Sequence, residues 1–337
     1  MLTSLDLYFM IKELSFLESS KLSQVYNPKK KQLLLQFHTK VGKVILNIEE
    51  DKIFLTEDKE QQETATNLAM FLRKKLSNAV VKKIEQKDFE RILIITLQKE
   101  KKFQLIIELF SKGNVILIDE NNKILACVEN QSWRDRNIRP GIAYEFPPTQ
   151  NNFLKLTKKQ LKEIIETSKK SSIVKILATD LNLGGNYAEE LCFLSKIDKN
   201  SKDINIDKLL KEIENIKESK LKPNKAIDET FPIDLKTKTN KKYFKTFSEA
   251  IESIKTTDSA YEKRLNQLNK RLEDQKQQLN DLEEKSITYK KIGDLIYQDY
   301  NKIQELVNKV KETKWKFNSK EILEKNPKEK KIIIELK

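Results

Sequence analysis

Glycine, histidine and cysteine are scarce in this 337-residue sequence. Its six glycines argue against Rossmann and P-loop enzymes, because those folds need glycine where the backbone approaches a phosphate. A single histidine, His38, leaves little for histidine-based metal or nucleophile chemistry. Two cysteines, Cys127 and Cys192, are too few for a structural zinc site or a disulfide framework. We expect both to pack as small apolar side chains in a reducing compartment.

Long apolar runs are absent too, since none approaches the roughly 18 residues that a membrane helix needs. The first residues also lack the basic-then-apolar pattern of a secretion signal. We therefore expect a cytoplasmic protein with no membrane partner. Paired carboxylates and metal-ligand spacings are missing as well. This predicts a binding factor with neither enzymatic activity nor a cofactor or metal.

Positive charge is abundant. The chain has 65 Lys and Arg residues against 51 Asp and Glu, which gives a formal net charge of +14. Such an excess on a folded chain favours a polyanionic partner, most often RNA or DNA. A generally lysine-rich composition without a binding role is the alternative, because the lysines recur along the whole chain.

The first 148 residues alternate between helical and strand patterns. Apolar residues at helical spacing predict helices over 4–19, with Ser4 as N-cap, and over 61–77. Short apolar runs separated by polar breaks predict strands over 22–26, 32–37, 43–48, 80–84, 91–97, 103–110, 114–119 and 124–128. Strands this close in sequence pair antiparallel. Residues 1–148 are thus predicted to form an α+β domain built on an antiparallel sheet or a two-sheet sandwich.

The rest of the chain is mainly helical. Residues 149–246 are predicted to form a small helical module, with an extended connector over 222–245. From 247 to 317 a heptad pattern, carried by residues such as Leu268, Leu272 and Leu279, predicts a coiled-coil arm. Residues 318–337 look like the start of a further domain, whose last strand would need a partner. Because the apolar seam must be covered, we expect a second polypeptide that supplies the returning helix, or self-association.

Several short motifs resemble one family when they are taken together. They are SLDLYF (residues 4–9) with KEL (12–14), FLRK (71–74), FERILI (89–94), IEL (107–109) with GNVILID (113–119), and RPG (139–141) with YEFPP (144–148). In this order and spacing they resemble the N-terminal NFACT domain of the RqcH/NEMF family of ribosome-associated quality control, also described as fibronectin-binding-protein-A-like. The similarity is to the N-terminal half of the archaeal-type members.

The resemblance implies a β-rich domain of Fpg/Nei-like architecture, a helix-hairpin-helix-type module and a coiled coil. It also implies a function. Such factors bind the large ribosomal subunit that still carries peptidyl-tRNA, hold tRNA, and support untemplated, alanine-type tailing of the stalled chain. The ribosome itself forms the peptide bonds.

The resemblance also implies RNA-binding residues. Asp6 matches the early aspartate, although an acidic residue in a first helical turn also complements the helix dipole. Arg91 matches the arginine of an Asp-Arg pair in which Glu90 replaces Asp, and its alternative is an ordinary surface ion pair. Glu108 and Asn114 match a second patch, where a hairpin turn explains the Gly-Asn pair equally well.

Cationic and glycine positions complete the predicted RNA-binding set, and these are Arg73, Arg134, Arg136, Arg139, Gly184 and Gly185. The arginines can contact phosphate. The two glycines can present backbone amides to phosphate, or can simply end a helix.

Two other functions remain open. One is an inactive glycosylase-like nucleic-acid-binding protein, since the sequence lacks the N-terminal proline of such enzymes, and the other is a structural coiled-coil scaffold.

Overall fold

A computed structural model describes residues 1–57, 65–133, 136–148, 151–254, 259–327 and 329–335. The chain divides into two compact units, Met1–Lys255 and Thr256–Lys337. No helix among these residues is both long enough and apolar enough to cross a membrane.

One large antiparallel sheet dominates the first unit. Its nine strands are β1 (Lys21–Tyr26), β2 (Leu33–Thr39), β3 (Gly42–Ile48), β4 (Ile53–Thr56), β5 (Val80–Gln86), β6 (Ile92–Gln98), β7 (Lys102–Glu108), β8 (Asn114–Asp119) and β9 (Ile124–Cys127). Their order is β4-β3-β2-β1-β5-β6-β7-β8-β9. The strand pairing between β1 and β5 is short, with Lys21 opposite Val80 and backbone hydrogen bonds on either side, and it joins two halves made of hairpin-connected strands. The predicted antiparallel sheet is confirmed, and β4 is a strand that the pattern did not predict.

Three helices pack on the main core of this sheet: α1 (Ser4–Leu14), α2 (Asn67–Leu76) and α7 (Phe247–Glu252). The N-cap of α1 is Thr3 and not the predicted Ser4, because the Thr3 side chain accepts a hydrogen bond from the Asp6 amide. Helix α7 corrects the predicted start of the arm at residue 247. Phe247 is fully buried in the sheet core, and the Glu13 carboxylate accepts a hydrogen bond from its amide at 2.6 Å.

A short hairpin covers part of the opposite face of the sheet. Its strands are β10 (Gln131–Ser132) and β11 (Asn137–Ile138). Ile138 and Tyr144 pack there on isoleucines of β6 to β9. Ile138 and Tyr144 therefore attach their parts of the chain to this face of the sheet.

The helical module has its own core. It contains α3 (Lys158–Thr167), α4 (Ile173–Lys175) with a π-helical continuation (Ile176–Asp180), α5 (Gly185–Ser195) and α6 (Ile206–Lys217). The stretch predicted as an extended connector instead folds into a three-stranded sheet of β12 (Asn224–Ala226), β13 (Glu229–Phe231) and β14 (Lys241–Tyr243). Helix α1 joins the two cores, because Leu5 and Phe9 lie in the helical core while Leu7 and Met10 lie in the sheet core.

The second unit contains the long helix α8 (Ser259–Gln298), then α9 (Tyr300–Glu312) and a hairpin of β15 (Ile322–Asn326) and β16 (Lys331–Ile334). The predicted final strand has a partner after all, since β16 pairs with β15. Along α8, Leu268, Leu272 and Leu279 are each about half exposed, at 49%, 51% and 56%. The apolar seam of the predicted coiled coil is therefore exposed in this unit.

Candidate nucleic-acid interface

Asp6 lies at the start of α1, inside the protein. Its carboxylate accepts hydrogen bonds from the Thr3 amide and the Thr3 hydroxyl, each at 2.8 Å, and from the hydroxyl of Tyr187 on α5. Burial raises the pKa of the Asp6 carboxyl above the ordinary 3.8, and the hydrogen bonds from Tyr187 and Thr3 oppose that change. At 4% exposure and with both oxygens occupied, Asp6 joins α1 to the helical module.

Glu90 lies in the turn between β5 and β6 and faces the same region. Its carboxylate accepts a hydrogen bond from the Asn182 side chain at 3.2 Å. The Gln86 side chain donates both to the Glu90 carbonyl and to the Ser4 carbonyl, each at 2.9 Å. Glu90 is thereby tied to α1 on one side and to the segment before α5 on the other.

Arg91 follows directly and is half-buried beside the chain start. Its guanidinium contacts the Met1 sulfur at 2.7 Å, and a thioether is only a weak acceptor. Burial lowers the pKa of Arg91, while the carboxylates of Glu90 and Asp51 work in the opposite direction. Within the described part of the chain no carboxylate forms a salt bridge with Arg91. Arg91 therefore keeps strong hydrogen-bond donors for a ligand.

The two glycines begin helix α5 next to this cluster. Gly184 has φ of +77°, and a Cβ added there would lie 3.1 Å from the Thr3 side chain. Gly184 is the N-cap of α5 and provides no side-chain acceptor, so the first-turn amides have no side-chain cap. The predicted residues Asp6, Glu90, Arg91 and Gly184 thus converge around the chain start, although they come from three separate segments.

Glu108 and Arg136 form a separate, buried cluster. The Arg136 guanidinium donates to both Glu108 oxygens, at 2.8 and 2.9 Å, and the Tyr144 hydroxyl donates to Glu108 at 2.7 Å. Glu108 is 2% exposed. Burial of Tyr144, together with the nearby Glu108 carboxylate, raises the pKa of the Tyr144 hydroxyl. A fork of this kind satisfies both charged groups. In this structure the Arg136 guanidinium is therefore engaged by Glu108, and the two residues together hold Tyr144 on the sheet.

The remaining predicted residues have varied surroundings. Asn114 is 5% exposed, and its side chain bonds both backbone groups of Glu129. Arg73 donates to the Val25 carbonyl at 2.7 Å, so it packs on β1. Arg139 is exposed near the β10–β11 hairpin, whereas Arg134 lies outside the described residues. Asn114 and Arg73 therefore have local structural roles, and Arg139 remains available for a ligand.

Sequence reasoning missed the partners that assemble the site. Tyr187, Asn182 and Gln86 connect the predicted residues, yet none stands in a motif. The one available signal was Tyr187 itself, because a tyrosine on an apolar helix face needs a hydrogen-bond partner when it is buried. Across the described residues no group of three or more His, Cys, Asp or Glu side chains could hold a metal ion.

Comparison with known proteins identifies relatives of the chain. The archaeal Rqc2 homolog aRqcH of Methanocaldococcus jannaschii is 30% identical over 359 aligned positions, covering 94% of this chain and 53% of that protein. Ribosome quality control complex subunit 2 of Saccharomyces cerevisiae is 37% identical over 132 residues, covering 37% of this chain and 12% of that protein. The chain thus spans about half the length of the archaeal relative.

The fold also has a solved counterpart. The N-terminal part of the fibronectin/fibrinogen-binding protein from Streptococcus suis superposes with a TM-score of 0.65 at 22% identity, over 75% of this chain and 98% of that chain. The family of NFACT N-terminal and middle domains matches residues 3–323. The resemblance predicted from the short motifs is confirmed, and the chain belongs to this NFACT family.

Proposed function

We propose that this chain is a cytoplasmic binding factor of ribosome-associated quality control, and that it holds tRNA on the obstructed large ribosomal subunit. In this role it supports untemplated, alanine-type tailing of stalled nascent chains, with the ribosome forming the peptide bonds. The yeast relative is named as a subunit of the ribosome quality control complex, and the archaeal relative as a homologue of it. The observation that carries the proposal is the convergence of Asp6, Glu90 and Arg91 with Gly184 at one end of α1.

The residues of this cluster have different tasks in the proposed complex. Arg91 contacts the RNA, because among the described residues its guanidinium has only a thioether as hydrogen-bond acceptor and can form a fork with phosphate or a base edge. Asp6 acts through Tyr187 as a positioning residue, because both of its oxygens are occupied and buried. The uncapped first turn of α5 favours an anion nearby.

The test is tRNA binding by Arg91→Gln and by a matched control, Lys40→Gln, which removes one charge from the exposed β2–β3 turn. Loss of one phosphate contact should reduce the slope of log K against log salt by about one. We expect that reduction and weaker binding for Arg91→Gln only, with an unchanged melting temperature. Equal, small effects of both variants would contradict the proposed site.

The long helix has a proposed partner as well. We place the coiled-coil arm within 247–317, after the residues that form α7. We infer that its exposed leucines pack against a returning helix of a second polypeptide. The leucines support this, since a heptad seam is stable only when covered. Purification from the native source tests it. A homodimer without a second protein would favour self-association instead.

A further inference from the structure

The turn between β12 and β13 has an unusual apolar tip. Ala226 pairs with Glu229 across the hairpin, which leaves Ile227 and Asp228 as the two turn residues. Ile227 has φ of +57°, and its side chain is 82% exposed. The tip of this hairpin thus presents an isoleucine to solvent.

Both properties of Ile227 are unfavourable for the isolated protein. Positive φ is a genuine outlier for a β-branched residue, and two-residue hairpin turns favour glycine, asparagine or aspartate there. An exposed isoleucine gains no burial energy that would offset the strain. Strained residues of this kind cluster at ligand-binding sites. Ile227 is therefore better explained by a contact outside the chain than by the fold.

The outward face of the same sheet has an uncompensated pair of lysines. Lys225 on β12 is directly opposite Lys242 on β14, while its neighbours Asn224 and Ala226 point into the core. Like charges directly opposite each other destabilise a sheet. Within the described residues neither lysine forms a salt bridge, and Lys242 only approaches the Phe244 ring, at 5.3 Å.

Carboxylates near this sheet are used elsewhere. Asp234 accepts from Lys222 and Lys241, at 2.6 and 2.5 Å, and Glu229 pairs with Lys238 at 3.3 Å. Asp228 is exposed in the turn, and no ion pair joins it to Lys225 or Lys242 in the described part of the chain. The outward face therefore carries net positive charge beside an apolar tip.

The hairpin is attached to the candidate interface. The Asn186 side chain, in the first turn of α5, donates to Glu229 at 3.0 Å. One residue further, the Tyr187 ring packs edge-on against Phe231 at 6.2 Å between centroids. Because Tyr187 is also the partner of Asp6, the hairpin and the Asp6–Arg91 cluster are held by the same helix end.

We propose that this hairpin is a second contact for the tRNA bound at the candidate interface. Lys225 and Lys242 bind backbone phosphates, and Ile227 packs against an exposed base or ribose. Phosphate attraction offsets the lysine repulsion, and apolar side chains at such tips contact nucleic-acid bases. The inference rests on the proposed tRNA binding and extends the surface that performs it.

The experiment compares melting temperature with tRNA affinity at several salt concentrations in the full chain. Ile227→Gly relieves the backbone strain, so its melting temperature should rise while tRNA binding weakens about fivefold. The double variant Lys225→Gln/Lys242→Gln should keep or raise the melting temperature. Because it loses two phosphate contacts, its slope of log K against log salt for tRNA binding should decrease by about 1.4 to 1.8. The matched control Lys99→Gln/Lys101→Gln removes two charges at the β6–β7 turn and should change binding less.

The outcomes separate the two proposals. Weaker tRNA binding by a protein that is more stable, or equally stable, supports the hairpin contact, because a structural role would lower both. Unchanged affinity of the hairpin variants, with Arg91→Gln impaired, would overturn the hairpin contact and leave the proposed function intact. Absence of tRNA binding by the wild-type chain would overturn the proposed function itself. Loss of binding to large subunits that lack tRNA, with tRNA affinity retained, would also overturn the hairpin contact and point to another partner.

Discussion

Replacement of Tyr187 by phenylalanine removes one hydroxyl from the contact that joins the sheet domain to the helical module. That hydroxyl donates to Asp6, and both side chains are buried, at 1% and 4% exposure. The remaining donors to Asp6 come from Thr3 on the same helix. Tyr187→Phe therefore leaves the helix cap intact and removes one of the hydrogen bonds between the two modules.

The magnitude follows from the charge and the burial. A hydrogen bond to a charged group contributes about 1.5 to 3 kcal/mol, and an unsatisfied buried acceptor costs a similar amount. We expect Tyr187→Phe to lower the free energy of unfolding by about 2 kcal/mol. For a unit of this size that corresponds to a drop in melting temperature of about 4 to 8 °C. A double-mutant cycle with Asp6→Asn should give a coupling energy of about 1 to 2 kcal/mol.

Urea denaturation, monitored by circular dichroism, measures the decrease in the free energy of unfolding. Hydrogen exchange of the amides in the first turn of α5 shows whether the destabilisation is at that helix end. Tyr8→Phe is the matched control, because its hydroxyl makes a long, partly buried hydrogen bond of 3.4 Å to the Lys217 carbonyl. The control should cost less than about 1 kcal/mol. If Tyr187→Phe costs no more than Tyr8→Phe, or shows no coupling to Asp6, then Asp6 does not position the helical module.

Three other substitutions test neighbouring features. Arg136→Met should lower the free energy of unfolding by about 3 to 5 kcal/mol in denaturant titrations, because it leaves the buried Glu108 carboxylate without its ion-pair partner. The double variant with Glu108→Gln should regain part of this loss. Gly113→Ala should cost more than about 2 kcal/mol by the same assay, because its Cβ would lie 2.3 Å from the Glu50 carbonyl oxygen at a φ of +62°. Burial works against ionisation of Asp234, yet its two lysine partners hold its pKa at about 2. The stability that ionised Asp234 contributes is therefore present above pH 4 and is lost between pH 4 and 2. When the free energy of unfolding is measured against pH, Asp234→Asn should lack this step of about 1 kcal/mol, a value that allows for solvent screening.

The main sheet could be predicted because its strands are short, mainly apolar runs rich in Leu, Ile and Val that follow one another through short polar turns. Strand β4 and the three strands of the small sheet escaped prediction because each has only three or four residues. Helix α7 was assigned to the arm for a different reason. Phe247, Ala250 and Ile251 have the helical spacing of a coiled-coil seam, and the same spacing covers a sheet. Periodicity gives the apolar face of a helix and does not say what that face contacts.

The candidate site was predictable only in part for a related reason. Motifs gave Asp6, Glu90 and Arg91, but Tyr187 is 181 positions from Asp6, and no local pattern connects them. The same limit applies to Arg136, which the sequence presents only as part of a cationic loop able to contact RNA. Its fork to Glu108 depends on the placement of β11 against β7, which is a tertiary property.

Acidic residues among those proposed to take part in RNA binding raise an electrostatic question, because exposed carboxylates would repel phosphate. The structure answers it by burial. Asp6 and Glu108 are 4% and 2% exposed, and each is neutralised or hydrogen-bonded from several sides. At the proposed site Glu90 is only partly buried and accepts a hydrogen bond from Asn182, while Arg91 and the amides at the start of α5 provide the positive potential. The buried acidic residues Asp6 and Glu108 of this chain are accordingly compatible with the proposed RNA binding, because their carboxylates are hydrogen-bonded below the surface.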